Sequence, residues 1–275
     1  MIYHTDIVSE KIIMKRIIIV FLVLFMILLP VSVPAESSPA YETARAIGNF
    51  METHYGITVF IGPECENVTT GSFSIGDKPA GRSPLRQLMG VREYDKEIQI
   101  VDDVFSVYPP GFFEHFTSEE APNGLRVLLV DQLVYDGGTI GGVATVEDGY
   151  YNLFLPLAGF TRVNVHHEIW HNMEFRIVYD NPSAFDGWDG LNPEDFVYGT
   201  DSSASNTFES LEDGGPWFVR RYATIHEEED RATVFEAYML KDTEWWDNHP
   251  LIGKKLEKML EAAEPISGSL LDKDE

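Results

Sequence analysis

Apolar positions recur at helical spacing over Tyr41–His54, where Ala44, Ile47, Phe50 and Met51 fall three or four residues apart. Gly56 closes that pattern, and the β-branched and aromatic run Ile57–Ile61 predicts a strand. Residues 62–84 are dense in Gly, Pro and Ser and read as a loop. A mixed amphipathic stretch runs from Pro84 to about Val107 and breaks at Pro109-Pro110-Gly111. Leu125–Val134 is a strand candidate. Gly137-Gly138 and Gly141-Gly142 interrupt the chain before Val143–Val146, and Tyr150–Leu157 offers another strand. Three more helices are predicted, over Thr161–Val178, Arg220–Leu240 and Pro250–Ala263. The last has Leu251, Leu256, Met259 and Leu260 as its apolar stripe, and residues from Pro265 onward are expected to be mobile. Helices and a small sheet, with no internal repeat, make the class α+β.

One segment stands apart from this pattern. Ile17–Leu29 is an uninterrupted apolar run behind Lys15 and Arg16, and Val33-Pro34-Ala35 precedes a small-residue cut ahead of Glu36. As a helix the run spans about 20 Å, short of a hydrocarbon core of about 30 Å. A secretory signal peptide over residues 1–35 is expected, with Met14 as a second possible start, and no stable membrane insertion after cleavage. Residues 36–275 then form a single secreted or cell-surface domain, with an N-lobe at about 36–160 and a C-lobe at about 161–264.

Charge narrows the partners. The 275-residue chain carries 20 Lys+Arg against 45 Asp+Glu, a net charge of −25, which repels phosphate backbones and argues against nucleic acid. With 44% hydrophobic residues it can bury a sizeable core. The single Cys65 rules out an internal disulfide framework and a cysteine-based zinc ribbon. Chemistry must come from His, Asp and Glu.

Within the helix over Thr161–Val178 lies His167-Glu168-Ile169-Trp170-His171, an HExxH string. Residues i and i+4 share a helix face, so both imidazoles can reach one cation, and zinc accepts neutral imidazole at about 2.0–2.1 Å. Glu168 lies about 100° round the helix, beside the ion, where it can take a proton from water as general base. His166 points away from the pair and is expected to pack or hydrogen-bond. Catalytic zinc takes three protein ligands, and Glu174, one turn past His171, is too far along to be the third. The helix over Arg220–Leu240 is the best source, with Glu229, Ala232, Thr233 and Glu236 on one face. Spacing alone does not choose among Glu227, Glu228, Glu229 and Asp230, and acidic residues in a first turn also complement the helix dipole.

His167–His171, Tyr222-Ala223, Glu229-Asp230-Arg231-Ala232 and Phe235-Glu236 together resemble a gluzincin family. This is the anthrax-lethal-factor-like secreted metallopeptidases, which include the pro-pro endopeptidases. The resemblance covers about residues 160–245. It implies a zincin-like fold, one zinc ion per chain on His167, His171 and Glu229, Glu168 as base, and Tyr222 steadying the oxyanion. A departure is Thr233, where the family usually has a second Glu four residues after the ligand.

The resulting expectation is a secreted zinc metalloendopeptidase acting on peptides that lie along a sheet edge, the strand in 150–157 being the candidate. The alternative is a non-catalytic surface or extracellular binding protein that keeps the fold. An aminopeptidase would need a segment such as Gly-x-Met-Glu-Asn, which is missing. Residues 177–219 hold nine Asp/Glu and no Lys or Arg. They read as a solvated loop, a calcium site or an acidic rim favouring basic substrates. Asp186, Asp189, Glu194 and Asp195 do not match an EF-hand, so Ca2+ stays unassigned.

Overall fold

The computed structural model describes residues 39–65, 67–70, 74–75, 94–135, 138–157, 160–199 and 216–267. The expected signal peptide, residues 84–93 of the amphipathic stretch, and 200–215 of the acidic segment lie outside them. Six α-helices and two small sheets form an α+β fold. The helices are α1 (Pro39–Tyr55), α2 (Tyr94–Phe105), α3 (Arg162–Asp180), α4 (Glu227–Leu240), α5 (Thr243–Asp247) and α6 (Pro250–Ser267). The strands are β1 (Thr58–Ile61), β2 (Ser74–Ile75), β3 (Leu125–Val130), β4 (Leu133–Tyr135), β5 (Gly138–Ile140), β6 (Val143–Glu147) and β7 (Tyr150–Pro156).

The main sheet has the order β1-β3-β7-β6 and is mixed. β1, β3 and β7 are parallel, and β6 returns antiparallel to β7 with Glu147 opposite Tyr150. The two-residue turn between them is Asp148-Gly149, with φ of 56° and 78°, left-handed at both positions as a type I′ turn requires. A second sheet, β2-β4-β5, is antiparallel and made of strands two or three residues long.

This order corrects the expected substrate edge. β7 lies between β3 and β6, so its backbone is paired on both sides, and the outer strand is β6. The sequence carries the reason. β7 is apolar nearly throughout and buried from Tyr151 to Pro156, as a covered central strand should be, whereas every residue of β6 is half-buried.

α3 packs against β6 and β7 on one side and α4 on the other. Its central turns are buried nearly all round, from Val165 to Ile177, which explains why a helix rich in His and Glu can hold one fixed position. Two contacts fix it. Asn172 Nδ2 donates to the Asn152 carbonyl of β7 at 3.1 Å and to the Glu168 carbonyl at 3.1 Å. Trp170 is fully buried, its ring 5.1 Å from that of Phe235 on α4. The apolar core is continuous from Tyr41 on α1 to Ala263 on α6.

α6 departs from expectation in two respects. It continues past Pro265 to Ser267. Its innermost face is Ile252, Lys255, Met259 and Ala263, while Leu251, Leu256 and Leu260 are only half-buried. Lys255 is fully enclosed because its ammonium meets Asp230 of α4 at 2.6 Å. No helix among the described residues is long and apolar enough to cross a membrane.

Candidate metal centre

His167 and His171 project from one face of α3, with their Nε2 atoms 3.0 Å apart. Glu229, in the first turn of α4, closes a triangle with them. Its Oε2 lies 2.9 Å from His167 Nε2 and 3.6 Å from His171 Nε2. α4 reaches that place because Arg231, two residues on, binds the α3 carboxylate of Glu174 through Nη2 at 2.6 Å. Both side chains are buried, Trp170 Nε1 donates to the other Glu174 oxygen at 3.0 Å, and Phe185 lies 4.5 Å beneath the guanidinium. Glu174 is thus engaged in docking the helices, in keeping with its distance from the ligand pair.

The acidic first turn of α4 separates by role. Glu227 and Glu228 face Arg231 at the surface. Asp230 turns into the core, where Tyr198 Oη, Trp188 Nε1 and Lys255 all donate to its Oδ2. Glu229 alone faces the two histidines.

The triangle fits a cation. Glu236 Oε1 can only accept, so His167 Nδ1 donates to it, at 2.6 Å. In a neutral His167 that leaves Nε2 with a lone pair and no proton. Glu229 Oε2, buried, has no hydrogen-bond donor among the described residues. Electron-rich atoms of three side chains thus converge, within 4.8 Å of one another. Four-coordinate zinc with bonds of 2.0–2.1 Å separates neighbouring ligand atoms by about 3.3 Å, within the span observed here. Electrostatics agree. Burial alone would lower the His167 pKa, but the Glu229 and Glu236 carboxylates outweigh it and raise it to about 10. Burial would raise Glu229, yet the His167 and His171 imidazoles beside it hold it well below the usual carboxylate range. The cluster attracts positive charge.

Glu168 is buried beside the triangle, and burial raises its pKa against the pull of His167 and His171. Its side chain lies against the backbone of Gly142, just before β6: a methyl group at Gly142 would come within 2.7 Å of both Cγ and Oε1. Tyr222, 44% exposed, forms part of the rim, its ring 5.9 Å from that of His167. Burial of the hydroxyl, then the Glu229 and Glu168 charges, push its pKa up and keep it protonated.

No protein-family profile matches the chain, and neither curated proteins nor solved structures give a significant match. The functional case therefore rests on the site itself.

All five residues singled out in the sequence come together here: His167, Glu168, His171, Tyr222 and Glu229. His166 turns away as expected, and its Nδ1 meets the Tyr108 hydroxyl at 2.8 Å in the core. Among the described residues Asp186, Asp189, Glu194 and Asp195 join no metal-capable group. In the described part of the 177–219 segment the acidic Asp180, Asp186, Asp189, Glu194 and Asp195 are exposed, as a solvated loop implies, while Trp188, Asn192 and Tyr198 are anchored around Asp230. Sequence reasoning missed Gly142, Arg220 and the role of Glu236. A carboxylate at i+7 from Glu229, two turns along one face, was the available signal for Glu236.

A cavity of about 730 Å³ opens from Val146 on β6 to Glu174 on α3 and Glu227 and Glu228 on α4. Its walls include Glu120, Asp186 and Asp189, and Arg231, the one Lys or Arg among the described lining residues, is taken up by Glu174 and Glu227.

Proposed function

We propose that this protein is a secreted, zinc-dependent endopeptidase with a zincin-like arrangement, hydrolysing peptide bonds at the cluster of His167, Glu168, His171 and Glu229. The observation that carries the reading is the triangle of electron-rich atoms with the carboxylate of Glu168 enclosed beside it. His167, His171 and Glu229 would hold the ion. Bound zinc supplies Lewis acidity, making water more acidic and a peptide carbonyl more electrophilic.

The remaining work falls to the protein. Glu168 receives the proton of the attacking water on its carboxylate and returns it to the departing amine. Gly142 keeps that carboxylate close to the first residue of β6. Tyr222 donates its hydroxyl proton in a hydrogen bond to the developing oxyanion. An extended peptide pairs with the outer edge of β6, which delivers its backbone past Gly142. The acidic cavity beyond Val146 favours approach of cationic segments over anionic ones.

A binding protein that holds the ion without using it is the competing reading. Thr233 does not favour it, since Glu236 provides the carboxylate that Thr233 lacks. The test is metal analysis of residues 36–275 together with digestion of a peptide library by wild type and Glu168→Gln. Zinc near one per chain, with cleavage lost in Glu168→Gln, supports the peptidase. Zinc in both proteins with no cleavage by either contradicts it.

A further inference from the structure

Thr233 leaves an open question about the ligand helix, since buried metal-binding imidazoles need an acceptor on the second ring nitrogen to fix tautomer and orientation. Its own hydroxyl is not that acceptor. Thr233 Oγ1 donates to the Asp230 carbonyl at 2.9 Å, within α4. Glu236 fills the place from one turn further along. It is buried, and the same oxygen, Oε1, receives His167 Nδ1 at 2.6 Å and Arg220 Nη2 at 2.5 Å.

The geometry points to Arg220 as a positioning residue for the metal ligand His167, acting through Glu236. This rests on the reading of His167, His171 and Glu229 as ligands. A carboxylate enclosed to this degree is costly unless paired, and one imidazole N–H is a weak partner for a full negative charge. Arg220 supplies the counter-charge and fixes which rotamer Glu236 adopts. That in turn fixes the plane of the His167 ring and the direction of its Nε2. Arg220 is itself held from two sides. It leaves the chain in extended conformation just before the turn Arg221–Thr224, and its guanidinium carbon lies 5.4 Å over the Tyr222 ring. One side chain thus braces both a metal ligand and the tyrosine at the rim.

Arg220 is also the reachable end of this relay. Its side chain is 42% exposed where that of Glu236 is 5% exposed, and it lines a cavity of about 550 Å³ with Phe218, Leu240, Lys241 and Trp245. Substitution there replaces no ligand, so its effect on metal binding reports the relay.

The experiment measures Zn2+ affinity by competition with a chromophoric chelator, and the visible spectrum of the Co2+ form, for wild type, Arg220→Met, Arg220→Lys, Glu236→Ala and the double variant Arg220→Met/Glu236→Ala. Loss of such an outer partner weakens metal binding about 10–100-fold. Glu236→Ala is expected in that range, with Arg220→Met weaker than wild type, Arg220→Lys partly restored, and the Co2+ bands altered. If Arg220 acts on the ion through Glu236, the double variant should bind no more weakly than Glu236→Ala. Thermal melts of the metal-free proteins separate this from general destabilisation, and Arg220→Lys carries the test should Arg220→Met misfold. Wild-type affinity and spectrum in Arg220→Met would overturn the inference while leaving the metal site intact. Additive losses in the double variant would overturn the route through Glu236. No Zn2+ binding by wild type would instead defeat the reading of the ligands.

Discussion

Gly142→Ala is the most telling perturbation of the proposed chemistry, because it removes no ligand and no charge. The added methyl group would sit 2.7 Å from Glu168 Cγ and Oε1 and 2.9 Å from Cδ. Ordinary contact begins at 3.4 Å, so the Glu168 side chain must retreat by about 0.7 Å or the strand must lift. Glu168 is buried and has little room to retreat. Overpacking of this kind costs about 1–3 kcal/mol, which a folded domain survives. For a general base, a displacement approaching 1 Å costs on the order of 10²-fold in rate. The expected outcome is kcat/KM down by about that factor, with zinc content unchanged and a melting temperature only modestly lower. Gly253→Ala on α6 is the control, since nothing lies within 4 Å of its added methyl group. It should leave the rate alone and, as a helix Gly→Ala exchange, stabilise slightly. Wild-type kcat/KM in zinc-loaded Gly142→Ala would refute the placement of Glu168 as the base.

Lys255→Met should destabilise by about 3–5 kcal/mol in urea titration, because it leaves Asp230 charged and enclosed without its partner. An unchanged midpoint would mean the pair is not formed. Asp148 titrates below its ordinary 3.8, held there by the Thr69 hydroxyl first, then by the Thr69 backbone N–H and Arg126. A carboxyl held below its unfolded value adds stability above about pH 3.8 and loses it as pH falls further. The gap in melting temperature between wild type and Asp148→Asn should therefore be open at neutral pH and close in that acidic window. Asn tolerates the left-handed turn, so a gap that persists at low pH would count against the clamp. Chelation should lower the melting temperature, reflecting loss of about 2.7 kcal/mol when the ion had been 100-fold above its Kd, and His171→Ala should abolish the shift. Peptides carrying Lys or Arg should be cleaved faster than matched Glu peptides. That advantage should shrink as salt rises, since screening shortens to about 10 Å at 0.1 M.

The parts of this molecule that were legible in sequence are those where one local period decides the outcome. The helix carrying His167 and His171 follows from apolar spacing, and their shared face follows from the four-residue interval. Glu229 was distinguished from its three acidic neighbours only by resemblance. What separates them in space is the docking of α4, fixed by Arg231 on Glu174 and by Asp230 on Lys255. Those are contacts between residues far apart in the chain, which no local pattern encodes. The apolar stripe of Leu251, Leu256, Met259 and Leu260 leaves Lys255 out, because its enclosure depends on Asp230 of another helix. Gly142 looked like a chain breaker because its constraint comes from Glu168, a residue on another element. The edge position of β6 could have been read from its mixed composition beside the continuous apolar run of β7. The second sheet could not, since strands of two or three residues show no period.

X-ray absorption at the zinc edge of the purified 36–275 protein examines the ligand set directly. One ion per chain with two imidazoles and carboxylate oxygen at about 2.0–2.2 Å is the expected first shell, with the carboxylate contribution lost in Glu229→Ala. A shell with a single imidazole, or one unchanged by removal of Glu229, would contradict the assignment of His167, His171 and Glu229 to one ion.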